Sequence, residues 1–428
     1  MTLNKNPLLA QRAKGIFSKA VVLVAGKSMR TYPLTVTRPK ALLTVANRTF
    51  LSLILDALDG IVTEAVLIVH YKKEMIQKMF GSRYKNISLV YQEQQEPNGT
   101  GHALLQAEKY VGQEEFLVVM GDDYFEKTDI LELCKQKFAL LAQDLEHPEW
   151  YGTVSVDERN QLVKIEEKPK KPKTKMVNTG CYVLNNTIFP ILKKLKPSER
   201  GEYELTDAVN LFAKQQPVRV VLAKHWQPIT YPWHLLDTNK KLLQKLIFRN
   251  AGTIEPGVTI HGAVDIGKGT TLRSGAYIEG PVIIGENCKI GPNCYIRQFT
   301  SLGNNVKVGN AVEIKNSIIG NNTSIGHLSY VGDSVLGEQV NFGAGTIVAN
   351  LRHDDGVVKS RVGKALVDSG RRKLGTIMGD EVHTGVHTSI YPGRKLWPKT
   401  TTVPGQVVDK DIEGREFFTS KVREKIIS

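Results

Sequence analysis

Over roughly the first 250 residues, short aliphatic and β-branched runs alternate with stretches of helical spacing. Ala20–Ala25, Ala65–His70, Ile87–Tyr91 and Phe116–Met120 predict strands. Between them, Phe50–Leu58, Lys72–Phe80 and His102–Tyr110 carry helical spacing with no internal proline. Tyr151–Val156, Asn178–Leu184 and Val218–Ala223 predict further strands, and Thr206–Lys214 and Leu235–Phe248 further helices. Strands alternating with helices predict an α/β, Rossmann-like domain whose mostly parallel sheet is covered on both faces. In such sheets the ligand crevice lies at the carboxyl ends of the strands, so candidate chemistry falls just after Ala25 and just after Met120.

From Ile254 the pattern changes to a period of six: Ile254, Ile260, Ile266, Leu272, Ile278, Ile284, Ile290, Ile296, Leu302, Val308 and Ile314. After a one-residue slip it continues as Ile319, Ile325 and Val331, and after another as Leu336, Phe342 and Val348. A hexapeptide repeat resembles the left-handed parallel β-helix, in which three hexads form one triangular coil and the aliphatics point inward. Leu351–Lys373 interrupts the repeat with charge and glycine and predicts a polar loop outside the stack. The period resumes weakly at Ile390 and Leu396, with Val403 one place out of phase.

Composition narrows the class. At 428 residues with 41% hydrophobic and 23% charged positions, the chain has the make-up of a multi-domain globular protein. No apolar run approaches the ~20 residues that cross a bilayer, and the basic N-terminus lacks the apolar centre of a secretory signal. A cytoplasmic protein without membrane partners is expected. Cys134, Cys181, Cys288 and Cys294 show no paired spacing and read as buried small hydrophobes. The net charge of +14 is spread along the chain and not gathered into one run, which favours small phosphorylated substrates over nucleic acid.

The segment Val24-Ala25-Gly26-Lys27-Ser28-Met29-Arg30, with Pro33-Leu34-Thr35 and Thr37-Arg38-Pro39-Lys40, follows the first strand. Its tight turn offers backbone N–H groups, and Lys27, Arg30, Arg38 and Lys40 offer positive charge, to a polyanion. Neither a Walker A loop nor a dinucleotide fingerprint fits, and such a turn alone is equally compatible with an ordinary loop. Further ordered segments decide between them: Gln94 before Gly99-Thr100-Gly101-His102-Ala103, Gly121-Asp122-Asp123, Tyr151-Gly152, Glu167-Lys168-Pro169, Asn178-Thr179-Gly180 and Gly201-Glu202-Tyr203-Glu204-Leu205-Thr206-Asp207. Together they resemble the sugar-1-phosphate nucleotidylyltransferases over residues 19–245.

That resemblance implies catalytic Arg30 and Lys40, nucleotide binding by Ala25, Gly26, Gln94, Gly99 and Thr100, and Mg²⁺ on Asp122. It implies a sugar-phosphate site at Gly152, Glu167, Lys168 and Asn178. Two positions depart from the family pattern: Ser28 replaces a glycine, and Pro228 stands where a second metal-binding aspartate belongs, with Asp123 or His225 as possible substitutes.

In the hexad region, Gly326-His327-Leu328-Ser329-Tyr330-Val331-Gly332-Asp333 resembles the acetyltransferase motif of the bifunctional N-acetylglucosamine-1-phosphate uridylyltransferase/glucosamine-1-phosphate N-acetyltransferase family. The resemblance implies His327 as general base, Arg297, Lys315, Tyr330 and Asn341 around the sugar phosphate, and Asn350 at the acetyl-CoA and acceptor end. It also implies a homotrimer. After Asn350, the segments Leu351-Arg352-His353-Asp354-Asp355 and Ser369–Gly375 resemble the archaeal branch. The expected organisation is a basic extension over 1–18, a nucleotidyltransferase domain over 19–249, a β-helix acetyltransferase domain over 250–408 and a tail over 409–428. The expected function is synthesis of UDP-N-acetylglucosamine from glucosamine-1-phosphate, with acetyl-CoA and UTP as co-substrates. The alternatives are a glucose-1-phosphate uridylyl- or thymidylyltransferase with a scaffolding β-helix, and a non-catalytic regulatory subunit of the same fold.

Overall fold

The computed structural model describes residues 17–414; most of the basic extension and much of the tail lie outside the described residues. The chain forms two compact units. The first runs up to Lys27 and includes Pro39–Leu42 and Phe50–Pro228; the second comprises Ser28–Arg38, Leu43–Thr49 and the chain from Ile229 onward.

The first unit is built on a sheet whose parallel centre runs Phe116–Met120, Phe17–Leu23, Val62–Val69, Ile87–Glu93. The stretches Ala20–Leu23, Ala65–Val69 and Phe116–Val119 within these strands are continuous apolar runs because both faces are covered there. Val22, Leu67 and Val119 face one buried cluster, and Val21, Val66 and Val118 the other. Met176–Leu184 adds antiparallel to Phe116–Met120. The expected helix over His102–Tyr110 is two shorter ones, Thr100–Leu105 and Glu108–Val111. The strands Ala139–Asp144 and Leu162–Glu167, which the apolar pattern alone did not mark, complete the sheet.

In the second unit three parallel sheets of eight, six and eight strands stack along one axis, forming the left-handed β-helix. One inward ladder runs Ile266, Ile284, Leu302, Ile319, Leu336, Met378, Leu396. Its steps of eighteen residues shorten to seventeen at Leu302–Ile319 and Ile319–Leu336, so each slip in the repeat is one residue lost from a coil. Corner residues recur in the left-handed region, among them Asn287, Asn293, Asn305, Asn316 and Asn322. Asparagine tolerates that conformation better than most side chains. Ile254, on the edge strand that opens its sheet, is partly exposed.

Leu351–Lys373 leaves the stack, as expected, but contains an antiparallel hairpin, Lys359–Val362 with Ala365–Asp368. The stacked residue near the end is Val408, paired with Ile390, in place of Val403. The helix expected over Leu235–Phe248 is His234–Leu243, and Arg249–Asn250 already pairs with the β-helix. All four cysteines are buried and free.

Candidate active sites

In the first unit the apolar strands deliver polar turns to one edge of the sheet. The Gly121 N–H donates to the Leu23 carbonyl at 3.0 Å, and a Cβ at Gly121 would lie 2.1 Å from Val24 Cγ1. Glycine there lets the two strand ends close on each other and sets Asp122 just beyond them. Lys40, almost fully buried, donates to Asp122 Oδ2 at 2.9 Å and lies 3.5 Å from Asp123 Oδ1. Lys40 is thus a buried cation held between two carboxylates.

Gln94 is buried, with its Nε2 3.1 Å from both the Gly99 carbonyl and His102 Nδ1. Gly99 has φ 101°, and a Cβ there would meet the Tyr203 carbonyl at 2.7 Å, so only glycine brings this turn against the Tyr203 segment. The Thr100 hydroxyl accepts from the Leu205 N–H at 3.1 Å. At the sugar-motif positions, a Cβ at Gly152 would sit 2.9 Å from Glu167 Oε2. Burial pushes the Glu167 carboxyl up, and Arg200, 3.6 Å away, opposes that shift. Asn178 donates to Tyr182 Oη at 2.6 Å and accepts from the Gly180 N–H at 2.9 Å. Lys168 takes a left-handed backbone at φ 46°, its N–H on the Tyr151 carbonyl at 3.0 Å. Arg200 and Tyr182 carry no motif that would have marked them in the sequence.

The second unit gathers its polar groups around Asp333. This carboxylate is buried and accepts from Asn350 Nδ2 at 2.6 Å and Asn316 Nδ2 at 2.7 Å, with Lys315 Nζ 3.7 Å away. Asn350 also donates to Tyr330 Oη at 3.2 Å, and burial pushes that phenol up. Arg297 pairs with Glu313 at 2.8 Å. The ladder explains the grouping: Tyr295 pairs with Glu313 and Glu313 with Tyr330, while Lys315 pairs with Gly332. Residues far apart in sequence therefore line one face of the prism.

His327 and Asn341 lie on a neighbouring sheet, where Ser324–His327 pairs with Asn341–Phe342. The His327 imidazole is exposed and makes no hydrogen bond to a described residue. Leu328 turns the corner at φ 50°, and the Ser329 hydroxyl donates to the His327 carbonyl at 2.7 Å. Among the described residues, no side-chain hydrogen bond links this pair to the Asp333 group.

Residues 19–245 match the nucleotidyl transferase family, and residues 278–402 match the GMPPB C-terminal domain. Over 399 residues the chain is 42% identical to the bifunctional protein GlmU of Methanocaldococcus jannaschii, covering 93% of this chain and 96% of that protein. The chain belongs to the GlmU family, in its archaeal branch. A second GlmU-family relative, the bifunctional sugar-1-phosphate nucleotidylyltransferase/acetyltransferase of Sulfurisphaera tokodaii, is 41% identical over 94% of this chain and 99% of its own. The solved structure of UDP-glucose pyrophosphorylase complexed with UDP-glucose shares the fold at TM-score 0.50 and 20% identity, covering 54% of this chain and all of that one.

Within this GlmU-family chain the two departures from pattern have structural readings. Ser28 adopts φ 53°, the left-handed conformation suited to the glycine it replaces, and its carbonyl accepts from the Thr31 and Thr35 hydroxyls, each at 2.8 Å. Pro228 is buried beside Trp226 and brings no carboxylate. A third expectation is corrected: Arg38 is not available to a polyanion. It is committed to Glu338 at 2.7 Å and Asp380 at 2.6 Å, within the second unit; burial works to lower its pKa, and the two carboxylates together outweigh that and raise it.

Proposed function

We propose that the chain makes UDP-N-acetylglucosamine in two transfers, one in each unit. In the second unit, the amino nitrogen of glucosamine-1-phosphate attacks the thioester carbonyl of acetyl-CoA. The C–N bond forms, the C–S bond breaks, His327 takes the amine proton and coenzyme A leaves as the thiol. Arg297 and Lys315 bind the sugar phosphate, Tyr330 and Asn341 orient the sugar, and Asn350, fixed by Asp333, faces the acetyl group. In the first unit, the phosphate oxygen of N-acetylglucosamine-1-phosphate attacks the α-phosphorus of UTP and pyrophosphate departs. Lys40 balances charge on the phosphates, Ala25, Gly26, Gln94, Gly99 and Thr100 bind the nucleotide, and Gly152, Glu167, Lys168 and Asn178 hold the sugar; Arg30, expected to act with Lys40, falls in the segment Ser28–Arg38, which groups with the second unit.

Mg²⁺ is the ion expected in the first unit. Among the described residues no group of three His, Cys, Asp or Glu could hold a metal alone. Mg²⁺ commonly uses one or two carboxylates and completes its shell with water and substrate phosphates. Asp122, one-third exposed and adjacent to Asp123, fits that role. When bound, the ion supplies positive charge against the phosphates.

A homotrimer is part of the reading. His327 and Asn341 occupy a different face from the Asp333 group, and a neighbouring prism supplies a way to close one site from both faces. Exposed apolar residues Leu328, Ile347 and Val407 on the β-helix suit such packing.

The observation that carries the proposal is the pair of polar clusters, Lys40 with Asp122 and Asp333 with Asn350, one in each unit of a single chain. Separate measurement of thiol and pyrophosphate release tests it, and sedimentation tests the trimer against a monomer of 47.6 kDa.

A further inference from the structure

The second unit contains a cavity of about 380 Å³ that Arg297 and Lys315 share with residues from outside the hexad repeat. Lys240 comes from the helix His234–Leu243, and Arg371 from the segment that follows the hairpin. Asn316 and Phe299 line it as well, both in the left-handed conformation of the prism corners, at φ 43° and 65°. Four cations thus converge on one space.

Three of the four already have a carboxylate. Arg297 pairs with Glu313, Lys315 approaches Asp333, and Arg371 pairs with Asp237. Among the described residues, Lys240 has no carboxylate within ion-pair distance; its ammonium lies 4.9 Å from the centre of the Phe299 ring. Its position is set by its neighbour Asn239, which is fully buried. Asn239 donates to the Phe299 carbonyl at 2.9 Å and accepts from the Ser301 hydroxyl at 2.7 Å and the Ala46 N–H at 2.8 Å. The helix is therefore bolted to the prism with Lys240 at the cavity wall.

Two lining side chains also carry buried polar atoms without a protein partner: Asn316 Oδ1, an acceptor, and Arg371 Nε, a donor. Such atoms are costly unless a ligand or water satisfies them. A ligand bearing both hydroxyl donors and an anionic acceptor matches the pair.

We propose that Lys240 is a phosphate-binding residue of the acetyl-acceptor site, and that Arg371 and Asn316 hold the same hydroxylated phosphate ester from the opposite side of the cavity. The inference rests on the acetyl-transfer reading above. Arg297 and Lys315 are partly neutralised by their own carboxylates, so Lys240 supplies the positive charge that a sugar phosphate dianion lacks. Arg371 lies in the chain segment that distinguishes this branch, so the segment contributes to acceptor choice.

The test uses the full chain and calorimetric titration with glucosamine-1-phosphate, unphosphorylated glucosamine and inorganic phosphate, alongside thiol-release kinetics. Lys240 is exposed, so Lys240→Ala leaves the fold intact. The loss of one charge-assisted contact weakens glucosamine-1-phosphate binding about 10- to 100-fold. The KM for that acceptor should rise in step, the KM for acetyl-CoA should hold, and inhibition by inorganic phosphate should weaken. Lys240→Arg should restore most of the loss, and Arg371→Gln should weaken the sugar phosphate more than inorganic phosphate. Unchanged phosphate and sugar phosphate affinity in Lys240→Ala overturns the inference. If the wild type binds the sugar phosphate through Lys240 but releases no thiol, the acetyl-transfer reading fails and the binding site stands.

Discussion

Gly332 offers a way to disturb one active site without touching the other. It pairs across the ladder with Lys315, and a Cβ placed on it would lie 2.5 Å from Tyr330 Oη and 2.6 Å from Asn350 Nδ2. Non-bonded heavy atoms normally settle about 3.5 Å apart, so Gly332→Ala forces the phenol and the amide to retreat by roughly 1 Å. Both are ends of flexible side chains, and the fold should absorb the change. The site should not. Asn350 loses its hold on Asp333 and Tyr330, and a misplacement of about 1 Å in a positioned group costs about 10²-fold, or about 2.7 kcal/mol in the barrier. The assay follows free thiol from acetyl-CoA and pyrophosphate from UTP in separate reactions, with thermal unfolding as a control. Thiol release should fall about 10²-fold while pyrophosphate release and the melting temperature stay near wild type. Thiol release within twofold of wild type would refute the placement of Tyr330 and Asn350 at the acceptor.

His327→Ala should lower thiol release about 10²–10⁴-fold, measured on glucosamine-1-phosphate, with pyrophosphate release unaffected. Asp122→Ala should lower pyrophosphate release on the order of 10²-fold, and Pro228→Asp, which restores a carboxylate, should lower the Mg²⁺ concentration needed for half-maximal rate. Lys395 gives a pH signature in stability. Its side chain is almost fully buried, 5.7 Å from the centre of the Trp233 ring, and burial lowers its pKa from 10.5 to about 8 against the opposing pull of Asp411 and Glu413. Between those values the unfolded chain holds a proton that the folded chain has released, so this residue's contribution to stability rises with pH through the window, by about 3 kcal/mol at most. Denaturant titrations from pH 7.5 to 10.5 should show that rise, and Lys395→Met should abolish it.

The hexad period marked the inward ladder because a β-helix places the same chemistry at every repeat; Ile266, Ile284 and Leu302 were legible from spacing alone. The strand end at Met120 was legible for a similar reason, since a continuous apolar run ends where a polar turn begins; the first strand ends at Leu23, two residues before the expected Ala25, because Val24 and Ala25 are apolar but already lie beyond it. Direction was not legible. Arg38 and Lys40 stand two residues apart in one motif, yet Arg38 turns to Glu338 and Asp380 while Lys40 turns to Asp122. Asp333 was visible as a motif letter, but its role as the acceptor shared by Asn316 and Asn350 follows from ladder register. Ser28 shows the converse: its sequence reads as a departure from glycine, while its backbone keeps the left-handed turn. The hairpin at Lys359–Asp368 was hidden because its strands are only four residues long and neither alternates apolar with polar: Lys359–Val362 has a single apolar residue and Ala365–Asp368 has its three in a row.

The central claim is that one chain performs both transfers. The most direct measurement incubates the purified protein with glucosamine-1-phosphate, acetyl-CoA, UTP and Mg²⁺ and follows thiol, pyrophosphate and nucleotide sugar together. Equal amounts of thiol and pyrophosphate, with UDP-N-acetylglucosamine as the product and no pyrophosphate when acetyl-CoA is omitted, are the predicted result. Pyrophosphate formed without thiol from any amino sugar phosphate, or thiol formed while N-acetylglucosamine-1-phosphate and UTP stay unreacted at every Mg²⁺ concentration, would contradict it.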